Sequence, residues 1–485
     1  MGRSVLKMRE CLLLAGCLIA AMPICVAQEQ YPKPLIHTAT DHPGARVLLF
    51  TVDGLHAVDL ANWIGAHPHS ALAELSARGV TYTNAHTPMA DPAAGLMSLT
   101  TGGTPISTGI VSSDGYDRTL SPPGSNCKLR GAVLDLDASF RADGSFDAAR
   151  APLDPRNGCT PLQPHDLLHV NTVFEVVREK IGPTAWAGES AATTDLLRGP
   201  SGKGLNDACG FERSSPIAGD EVRVGIVLRW IDGKDCKGAA ESVPALFGMS
   251  FTSLVAAQVE MGYTDAAGTP SDGLAKRFAF VDAAIGRIVQ ELKVKQLYDT
   301  TWIFVTSPYG QSPMDQRRRR LIPIARVREV VESVEPGLAV HIAGGDTAMI
   351  WLSDPAKTAA VVKAFGDQAA AIGIQDIYSG ARLALTLSSP AKDSRMPDII
   401  LQLELGVLML WGSAGDTALA AHGGMLDEDT HVALLVSGAQ LAGRYDPTYV
   451  PTTQLGPLLL RALGMEKFDL QALHFEHSPA LPGIF

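Results

Sequence analysis

Continuous apolar runs recur along the chain and alternate with segments of helical periodicity. Residues 46–52 (RVLLFTV), 301–306 (TWIFVT) and 431–437 (HVALLVS) have the length and composition of strands buried on both faces. Residues 171–180 and 273–293 repeat their apolar positions every 3.6 residues, and Asn171 is a candidate N-cap. Strands that alternate with helices predict an α/β fold with a mostly parallel sheet covered on both faces.

The same pattern predicts shorter elements elsewhere, and we expect the later strands to join this sheet. Helices are predicted at 56–63, 70–78, 324–332, 358–372 and 452–463, and strands at 80–82, 348–352 and 398–403. Residues 112–168 are rich in Gly, Pro, Asp and Ser, which predicts a surface insertion. Because no repeat or low-complexity linker divides the chain, residues 28–485 are interpreted as one domain.

Polar residues follow the carboxyl ends of the predicted strands. Asp53-Gly54 comes directly after the first run, residues 307–310 follow the second, and another polar segment precedes His431. In parallel sheets the ligands bind beyond the carboxyl ends of the strands. One site assembled from distant segments is therefore expected, although a lone strand-end Asp is usually a turn residue.

The first 27 residues are interpreted as a signal peptide. Arg3, Lys7 and Arg9 precede an apolar stretch at 12–24, and small residues place the cleavage site after Ala27. Residues 14–17 also resemble a lipoprotein box ending at Cys17, but the apolar run before that box is short. We therefore expect a periplasmic or secreted protein whose mature chain has no transmembrane segment.

Composition and cysteine usage agree with export of a globular protein. The chain has 46% apolar residues, and its net charge of −11, without an extended basic face, makes nucleic acid a poor candidate partner. Four cysteines remain after the signal peptide, and sequence order favours the disulfides Cys127–Cys159 and Cys209–Cys236 over the other pairings. A zinc site is the alternative, but no Cys-x2-Cys spacing supports it.

Five blocks carry a family resemblance when they are taken in order. They follow Asp53-Gly54 at residues 98–110 (SLTTGGTPISTGI), 245–251 (ALFGMSF), 262–270 (GYTDAAGTP), 310–315 (GQSPMD) and 422–437. Over about residues 46–440 the chain resembles the type I phosphodiesterase and nucleotide pyrophosphatase family of the alkaline phosphatase superfamily, in its exported bacterial and fungal branch. The resemblance implies an alkaline-phosphatase-like α/β/α sandwich with a large, mostly parallel sheet and surface insertions.

The resemblance also implies a two-zinc phosphoester hydrolase, but several of its residues are replaced here. In the family a Ser or Thr hydroxyl attacks phosphorus beside two zinc ions held by Asp and His. The ligand positions that match are Asp53 for one ion, and Asp265 with His422 for the other. Pro92 stands at the nucleophile position, Thr269 at a His position, and Pro308-Tyr309 at the paired-ligand position.

These replacements make the catalytic assignment an open question. Catalytic zinc sites usually keep three protein ligands, and here one and two remain, so tight two-zinc binding is not expected. Weak binding of a single divalent cation through Asp53 or Asp265 remains an alternative. Asp91 is a weak candidate for a ligand or a replacement nucleophile, and a role as the cap of the loop or of a helix start is favoured over it.

Three hypotheses follow from the sequence. The first is a pseudoenzyme that binds a phosphoester-like small molecule or another ligand without turnover. The second is a residual metal-dependent phosphoester hydrolase that uses Asp91 or a metal-bound water, and the third is a purely structural role, which no feature favours. The arginines at 317–320 and the pair His474 and His477 are interpreted as surface residues.

Overall fold

The computed structural model describes residues 44–211, 215–410 and 417–484. The predicted signal peptide, its cleavage site after Ala27 and the alternative lipoprotein box at Cys17 lie outside these residues. Within the described ranges, no helix combines the length and the apolar character that crossing a membrane requires.

Strands occur along the whole described chain. In chain order they are β1 (Arg46–Val52), β2 (Gly79–His86), β3 (Tyr116–Asp117), β4 (Ala132–Val133), β5 (Leu153–Asp154), β6 (Thr160–Pro161), β7 (Thr184–Ala187), β8 (Asp207–Cys209), β9 (Leu246–Phe251), β10 (Thr301–Thr306), β11 (Arg320–Pro323), β12 (Ala339–Gly344), β13 (Thr347–Leu352), β14 (Ile374–Ser379), β15 (Ile399–Leu403), β16 (Val407–Leu410), β17 (His431–Ser437), β18 (Arg444–Asp446) and β19 (Val450–Pro451).

The helices separate most of these strands. They are α1 (Ala57–Ala66), α2 (Ala71–Ala77), α3 (Pro92–Thr101), α4 (Pro105–Thr108), α5 (Val173–Lys180), α6 (Ala191–Leu196), α7 (Pro216–Ile231), α8 (Ser253–Met261), α9 (Asp272–Val294), α10 (Ile324–Val334), α11 (Thr358–Ile372), α12 (Gly380–Leu383), α13 (Asp427–Thr430), α14 (Leu455–Ala462) and α15 (Ala472–Glu476).

A nine-stranded sheet forms the centre of the protein. Its strand order is β18-β2-β17-β10-β1-β9-β7-β8, and β19 also pairs with β2. β1 pairs in parallel with both β10 and β9, whereas β17 is antiparallel to its two neighbours, β10 and β2. The prediction of a mostly parallel sheet is therefore confirmed, and the carboxyl ends of β1, β2 and β10 meet at one edge.

Side chains alternate between the two faces of this sheet. On β1, Val47 and Leu49 pack into one apolar cluster, and Leu48 and Phe50 pack into a second one on the opposite face. α3 and α14 contribute to the first cluster, and α1, α7 and α9 contribute to the second. A sheet whose two faces are both buried under helices needs a continuous apolar run on its central strand, which is the pattern of residues 46–52.

The strands predicted at 348–352 and 398–403 do not join the main sheet. They are β13 and β15 of a separate four-stranded antiparallel sheet with the order β12-β13-β15-β14, covered by α10 and α11 over its own apolar core. Only two residues connect β12 to β13, which permits a hairpin and excludes a parallel crossover. The expectation that these strands extend the parallel sheet was wrong, because alternation of helices and strands does not reveal such short connections.

Local features complete the fold. Residues 112–168 contain only two-residue strands and short helical turns, and both predicted disulfides, Cys127–Cys159 and Cys209–Cys236, are present. The predicted cap of α5 needs correction, because Thr172 rather than Asn171 caps it: the Thr172 hydroxyl accepts from the Glu175 N–H, and the Glu175 carboxylate accepts from the Thr172 N–H.

Candidate active site

Segments far apart in the sequence meet in a cavity at the carboxyl edge of the main sheet. Asp53 follows β1 and Tyr309 follows β10, and the two strands pair in register through Thr51 and Thr306. Asp53, Tyr309, Pro92 and His422 all line this cavity, whose volume is about 760 Å³. The expectation of one site assembled at strand ends therefore agrees with the cavity that the structure contains.

Asp53 is held in a tight turn at the bottom of the cavity. Its backbone N–H donates to the Phe251 carbonyl at 2.9 Å. Gly54 has a φ of +78°, and a Cβ there would lie 2.1 Å from the Gln258 side-chain oxygen, so glycine is required at this position. The carboxylate of Asp53 is thereby aimed across the sheet edge toward the turn after β10.

Tyr309 closes the gap between Asp53 and His422. Its hydroxyl donates a hydrogen bond to Asp53 Oδ2 at 3.2 Å, and its ring centroid lies 4.5 Å from that of His422. The Tyr309 side chain is buried. We define these three residues as the cavity floor.

Burial sets the protonation of both acidic groups in the cavity floor. Desolvation, followed by the charge of Glu189, raises the pKa of Asp53 to about 7. Desolvation, followed by the neighbouring Asp53, raises the pKa of the Tyr309 phenol well above its ordinary value. The phenol is therefore neutral at physiological pH and acts as a hydrogen-bond donor, not as an anionic metal ligand.

Pro92 occupies the first turn of α3, where a proline fits because its missing N–H would have no partner within the helix. The residue before it, Asp91, is the N-cap. Its carboxylate accepts hydrogen bonds from the backbone N–H groups of Ala93 and Ala94 at 2.8 and 3.1 Å. It also accepts from both hydroxyls of Ser112 and Ser113 and from the Ser113 N–H, each at 3.1 Å. Both oxygens of Asp91 are thus committed to structural contacts.

α3 packs directly against the turn that carries Tyr309. A Cβ on Gly95 would lie 2.0 Å from the Pro308 carbonyl oxygen, so only glycine permits this approach. The turn is fixed further because the Ser307 hydroxyl donates to the Tyr309 carbonyl at 2.6 Å and the Gly310 N–H donates to the Asp429 carbonyl at 2.7 Å. The backbone on both sides of the cavity is therefore well anchored.

The structure brings Asp53, Pro92, Tyr309 and His422 together at the cavity but does not bring Asp265 to it. Asp265 lies in a turn before α9, where its carboxylate accepts from the N–H groups of Ala267 and Thr269 at 2.9 and 3.1 Å. Hydrogen bonding from the Thr269 side chain, and then from the Thr269 N–H, lowers the pKa of Asp265. His422 lines the cavity, and its Nδ1 is buried without a hydrogen-bond partner among the described residues.

A buried carboxyl pair behind His422 was missed by sequence reasoning. Asp429 and Asp346 are both buried, and the Ser312 hydroxyl donates to Asp346 Oδ2 at 2.8 Å. Desolvation and the adjacent Asp346 raise the pKa of Asp429 well above its ordinary value, so this pair holds a proton. The acidic run at 427–429 was visible in the sequence, but nothing there indicated its contact with Asp346.

Acidic groups dominate the charged part of the cavity lining. Among the described residues that line it, Asp137, Glu189 and Glu260 add carboxylates to that of Asp53, and Arg223 adds a guanidinium. Arg223 is buried and already bonded to Asp220, to the Ser250 carbonyl and to the Thr252 hydroxyl. The guanidinium therefore has little capacity left for an anionic ligand.

Two clusters of three potential metal ligands occur among the described residues, and neither includes Asp53, Asp265 or His422. One contains Asp207 with Cys209 and Cys236, whose sulfurs form a disulfide. The other contains His86, Asp427 and His431. His86 and His431 lie at the same edge of the sheet as the cavity but are absent from its lining.

Comparisons with known proteins agree with this architecture. Solved structures of ectonucleotide pyrophosphatase/phosphodiesterase 5 share the fold. An inactive variant of the mouse protein in complex with AMP has a TM-score of 0.61 at 15% identity, and the match covers 87% of this chain and 96% of that chain. The human protein has a TM-score of 0.58 at 18% identity, with 90% and 96% covered. Comparison with curated protein sequences found no match.

The likeness to these structures confirms the α/β/α architecture of the alkaline-phosphatase-like kind. The family model described as type I phosphodiesterase/nucleotide pyrophosphatase matches residues 47–425, which is more than half of the chain. The chain therefore belongs to the type I phosphodiesterase/nucleotide pyrophosphatase family.

Proposed function

We propose that this protein is a catalytically impaired family member that binds a phosphoester-like ligand in the cavity without turning it over. The observation that carries the proposal is the position of Tyr309. Its phenol lies between Asp53 and His422, where it donates to the one and packs against the other. A neutral hydroxyl thereby occupies the space between two side chains that the family resemblance assigns to metal binding.

The donor set around the cavity does not fit two zinc ions. Asp53 offers one carboxylate and His422 one imidazole, whereas a catalytic zinc site usually takes three protein ligands. Asp265 is held in its own turn away from the cavity lining. The cavity therefore lacks the ligands that a two-zinc mechanism needs, and Pro92 supplies no hydroxyl for a covalent intermediate.

The alternative is a residual hydrolase with Asp91 or a metal-bound water in place of the missing hydroxyl. The Asp91 carboxylate would have to leave five hydrogen bonds that cap α3 and fix residues 112–113. Loss of an N-cap alone costs about 0.5–2 kcal/mol, so this carboxylate is a poor nucleophile. A metal-bound water requires a bound metal ion, and the cavity offers only the Asp53 carboxylate and the His422 imidazole as ligands for it.

Two observations bear on the chemistry of the ligand: the charge of the cavity lining and the nucleotide bound by a structural relative. The mouse relative with the same fold binds AMP. Here the carboxylates of Asp137, Glu189 and Glu260 would repel a phosphate group, and the guanidinium of Arg223 is already paired. We therefore expect AMP to bind more tightly with Mg²⁺ than without it, since the cation offsets this repulsion.

Turnover assays test the loss of catalysis. The mature protein is assayed on an activated phosphodiester with Zn²⁺, Mn²⁺, Ca²⁺ or Mg²⁺, and we expect no metal-dependent turnover. A variant carrying Pro92→Ser, Pro308→Lys and Tyr309→His restores the hydroxyl nucleophile and the Lys-His pair that the resemblance implies for the closer family branch. It is matched by the same variant with Pro92→Ala. Activity in the serine variant alone would indicate that the remaining cleft is intact. Wild-type turnover abolished by Asp53→Ala or His422→Ala would overturn the proposal.

Binding is tested separately by calorimetry with AMP. Val255 lines the cavity on α8, so Val255→Trp should reduce its volume and weaken AMP binding. Val294→Trp, at an exposed position at the end of α9, is the matched control and should leave binding unchanged. Equal affinities in both variants would place AMP outside the cavity.

A further inference from the structure

A cluster of His86, Asp427 and His431 lies outside the cavity and has no role in the proposed function. We call it the rim cluster. His86 is the last residue of β2, His431 is the first residue of β17, and the two are paired directly across these antiparallel strands. Asp427 begins α13, one helical turn before His431. The pairing of β2 with β17 therefore fixes the backbone positions of both histidines.

The hydrogen bonds of His431 leave one ring nitrogen available. Its Nε2 lies 2.8 Å from the Thr83 carbonyl oxygen, which can only accept, so Nε2 carries a proton. In the neutral ring Nδ1 then has a free lone pair. This lone pair faces Asp427 Oδ2 at 3.5 Å, an arrangement of two electron-rich atoms that needs a proton or a cation to be favourable.

His86 shows a similar arrangement. Its Nε2 lies 2.9 Å from Asn84 Oδ1, while its Nδ1 lies 3.4 Å from the Thr430 hydroxyl oxygen. The Thr430 hydroxyl donates to the Leu426 carbonyl at 3.0 Å. The shorter contact favours the proton on Nε2. The lone pair of Nδ1 is then available to a metal ion, as it is in His431. A metal-binding histidine commonly donates its other ring N–H to an oxygen in this way.

From this geometry we infer that the rim cluster binds a zinc ion or a similar transition-metal cation through the two imidazoles and the Asp427 carboxylate. All three side chains offer ligand atoms within 4.8 Å of one another. A tetrahedral zinc with bonds of about 2.0–2.2 Å holds neighbouring ligand atoms about 3.3–3.6 Å apart. The distance between His431 Nδ1 and Asp427 Oδ2 already matches this spacing, and the ligand atom of His86 lies within 4.8 Å of the other two.

The chemistry of the donors selects the class of metal. Two imidazoles and one carboxylate suit Zn²⁺, Ni²⁺ or Cu²⁺, whereas Ca²⁺ and Mg²⁺ prefer shells made of oxygen. The two rings are stacked, with centroids 4.6 Å apart and an angle of 11° between their planes. Binding must tilt them until their lone pairs converge. Both side chains are only partly buried, and the exposed Tyr449 ring, stacked on His86 at 5.1 Å between centroids, has to move with it.

Calorimetric titration of the tag-free, EDTA-treated protein with ZnCl₂ tests the proposal. We expect saturable binding that His86→Ala, His431→Gln and Asp427→Asn each weaken at least about tenfold, because even partners of a metal ligand change affinity by 10–100-fold. His474→Ala is the matched control, because His474 is also a surface histidine bonded to a backbone carbonyl. The Asp53→Asn/His422→Gln double variant should bind zinc as the wild type does, which separates the rim cluster from the cavity.

Cobalt provides a second readout that does not depend on the variants. Co²⁺ in the rim cluster should give visible ligand-field absorption that Zn²⁺ displaces. Absence of saturable Zn²⁺ binding to the wild type would overturn the proposal. Zinc affinity that is unchanged in a His86→Ala/His431→Gln double variant would also overturn the proposal. So would a loss of zinc affinity in the Asp53→Asn/His422→Gln double variant alone.

Discussion

The cavity floor and the rim cluster lie at the same edge of the main sheet but differ in how they satisfy polar side chains. In the cavity floor the Asp53 carboxylate is desolvated although the residue keeps partial solvent access, and the described structure gives its side chain one hydrogen-bond donor, the neutral phenol of Tyr309. In the rim cluster all three side chains are at least partly exposed to solvent, and the two histidines have oriented, free ring nitrogens.

This difference shows that the backbone at the strand ends and the reactive side chains placed on it are separate features of the site. The turn at Gly54 and the approach of Gly95 to Pro308 are retained in the cavity, although a hydroxyl nucleophile is absent at Pro92. The backbone that would position a phosphoester is therefore compatible with a cavity that performs no hydrolysis. The rim cluster, by contrast, has donor atoms that suit a metal but lies outside the cavity lining.

The largest expected effect comes from Asp53→Asn in the cavity floor. Burial raises the pKa of Asp53 to about 7, so the folded state binds a proton that the unfolded state releases near its ordinary pKa of 3.8. The ionised Asp53 carboxylate therefore does not destabilise the folded wild type below about pH 4, and it destabilises it to the full extent above about pH 7. Relative to the wild type, Asp53→Asn should gain stability as pH rises between these values, by up to about 4 kcal/mol.

Urea denaturation at pH 5, 6, 7 and 8 measures this gain, with the disulfides left intact. Asp446→Asn, at a partly exposed position on β18, serves as a control for the general effect of removing a carboxylate. A stability difference between Asp53→Asn and the wild type that stays constant across these pH values would contradict the assigned protonation. The contrast between the cavity floor and the rim cluster would then have no electrostatic basis.

The sequence predicted the strands of the main sheet better than it predicted how strands pair and which side chains touch. The buried runs at 46–52 and 301–306 match β1 and β10, and the strand-end position of Asp53 followed from them. Continuous apolar character is a local property of the chain, so it can be read without knowing the partner strands. The four-stranded antiparallel sheet was not predicted, because its assignment depends on connection length and strand pairing.

The candidate site was predictable to the same extent. The block resemblance assigned family positions to Pro92, Tyr309 and His422, and the structure places all three in the cavity lining. It also assigned Asp265, whose side chain instead caps a local turn through hydrogen bonds that residue spacing does not specify. The contact of Tyr309 with both Asp53 and His422 depends on how α3 and the turn after β10 pack, which the sequence does not state.

A smaller effect is expected for Tyr309→Phe, which removes the hydrogen bond to Asp53 and leaves the carboxylate buried without that donor. At pH 8 the loss should be about 1–3 kcal/mol, because an unsatisfied buried acceptor costs that much. At pH 5 the carboxyl is protonated and the loss should be smaller. In the Asp53→Asn background the same substitution should cost less at pH 8, and a double-mutant cycle by urea denaturation measures this coupling. Additive effects would contradict a direct interaction between the two side chains.

The smallest expected effect is that of His431→Gln in the rim cluster when no metal is present. The imidazole is partly exposed and its Nε2 bonds the Thr83 carbonyl, an interaction that the amide of Gln can partly replace. Surface substitutions of this kind change stability by about 0.5 kcal/mol or less. With Zn²⁺ at 100 times the dissociation constant, the wild type should gain about 2.7 kcal/mol, whereas the variant should gain much less. Thermal denaturation with EDTA and with ZnCl₂ measures both values. Equal stabilisation of the wild type and of His431→Gln by zinc would show that the rim cluster behaves like any other part of the surface.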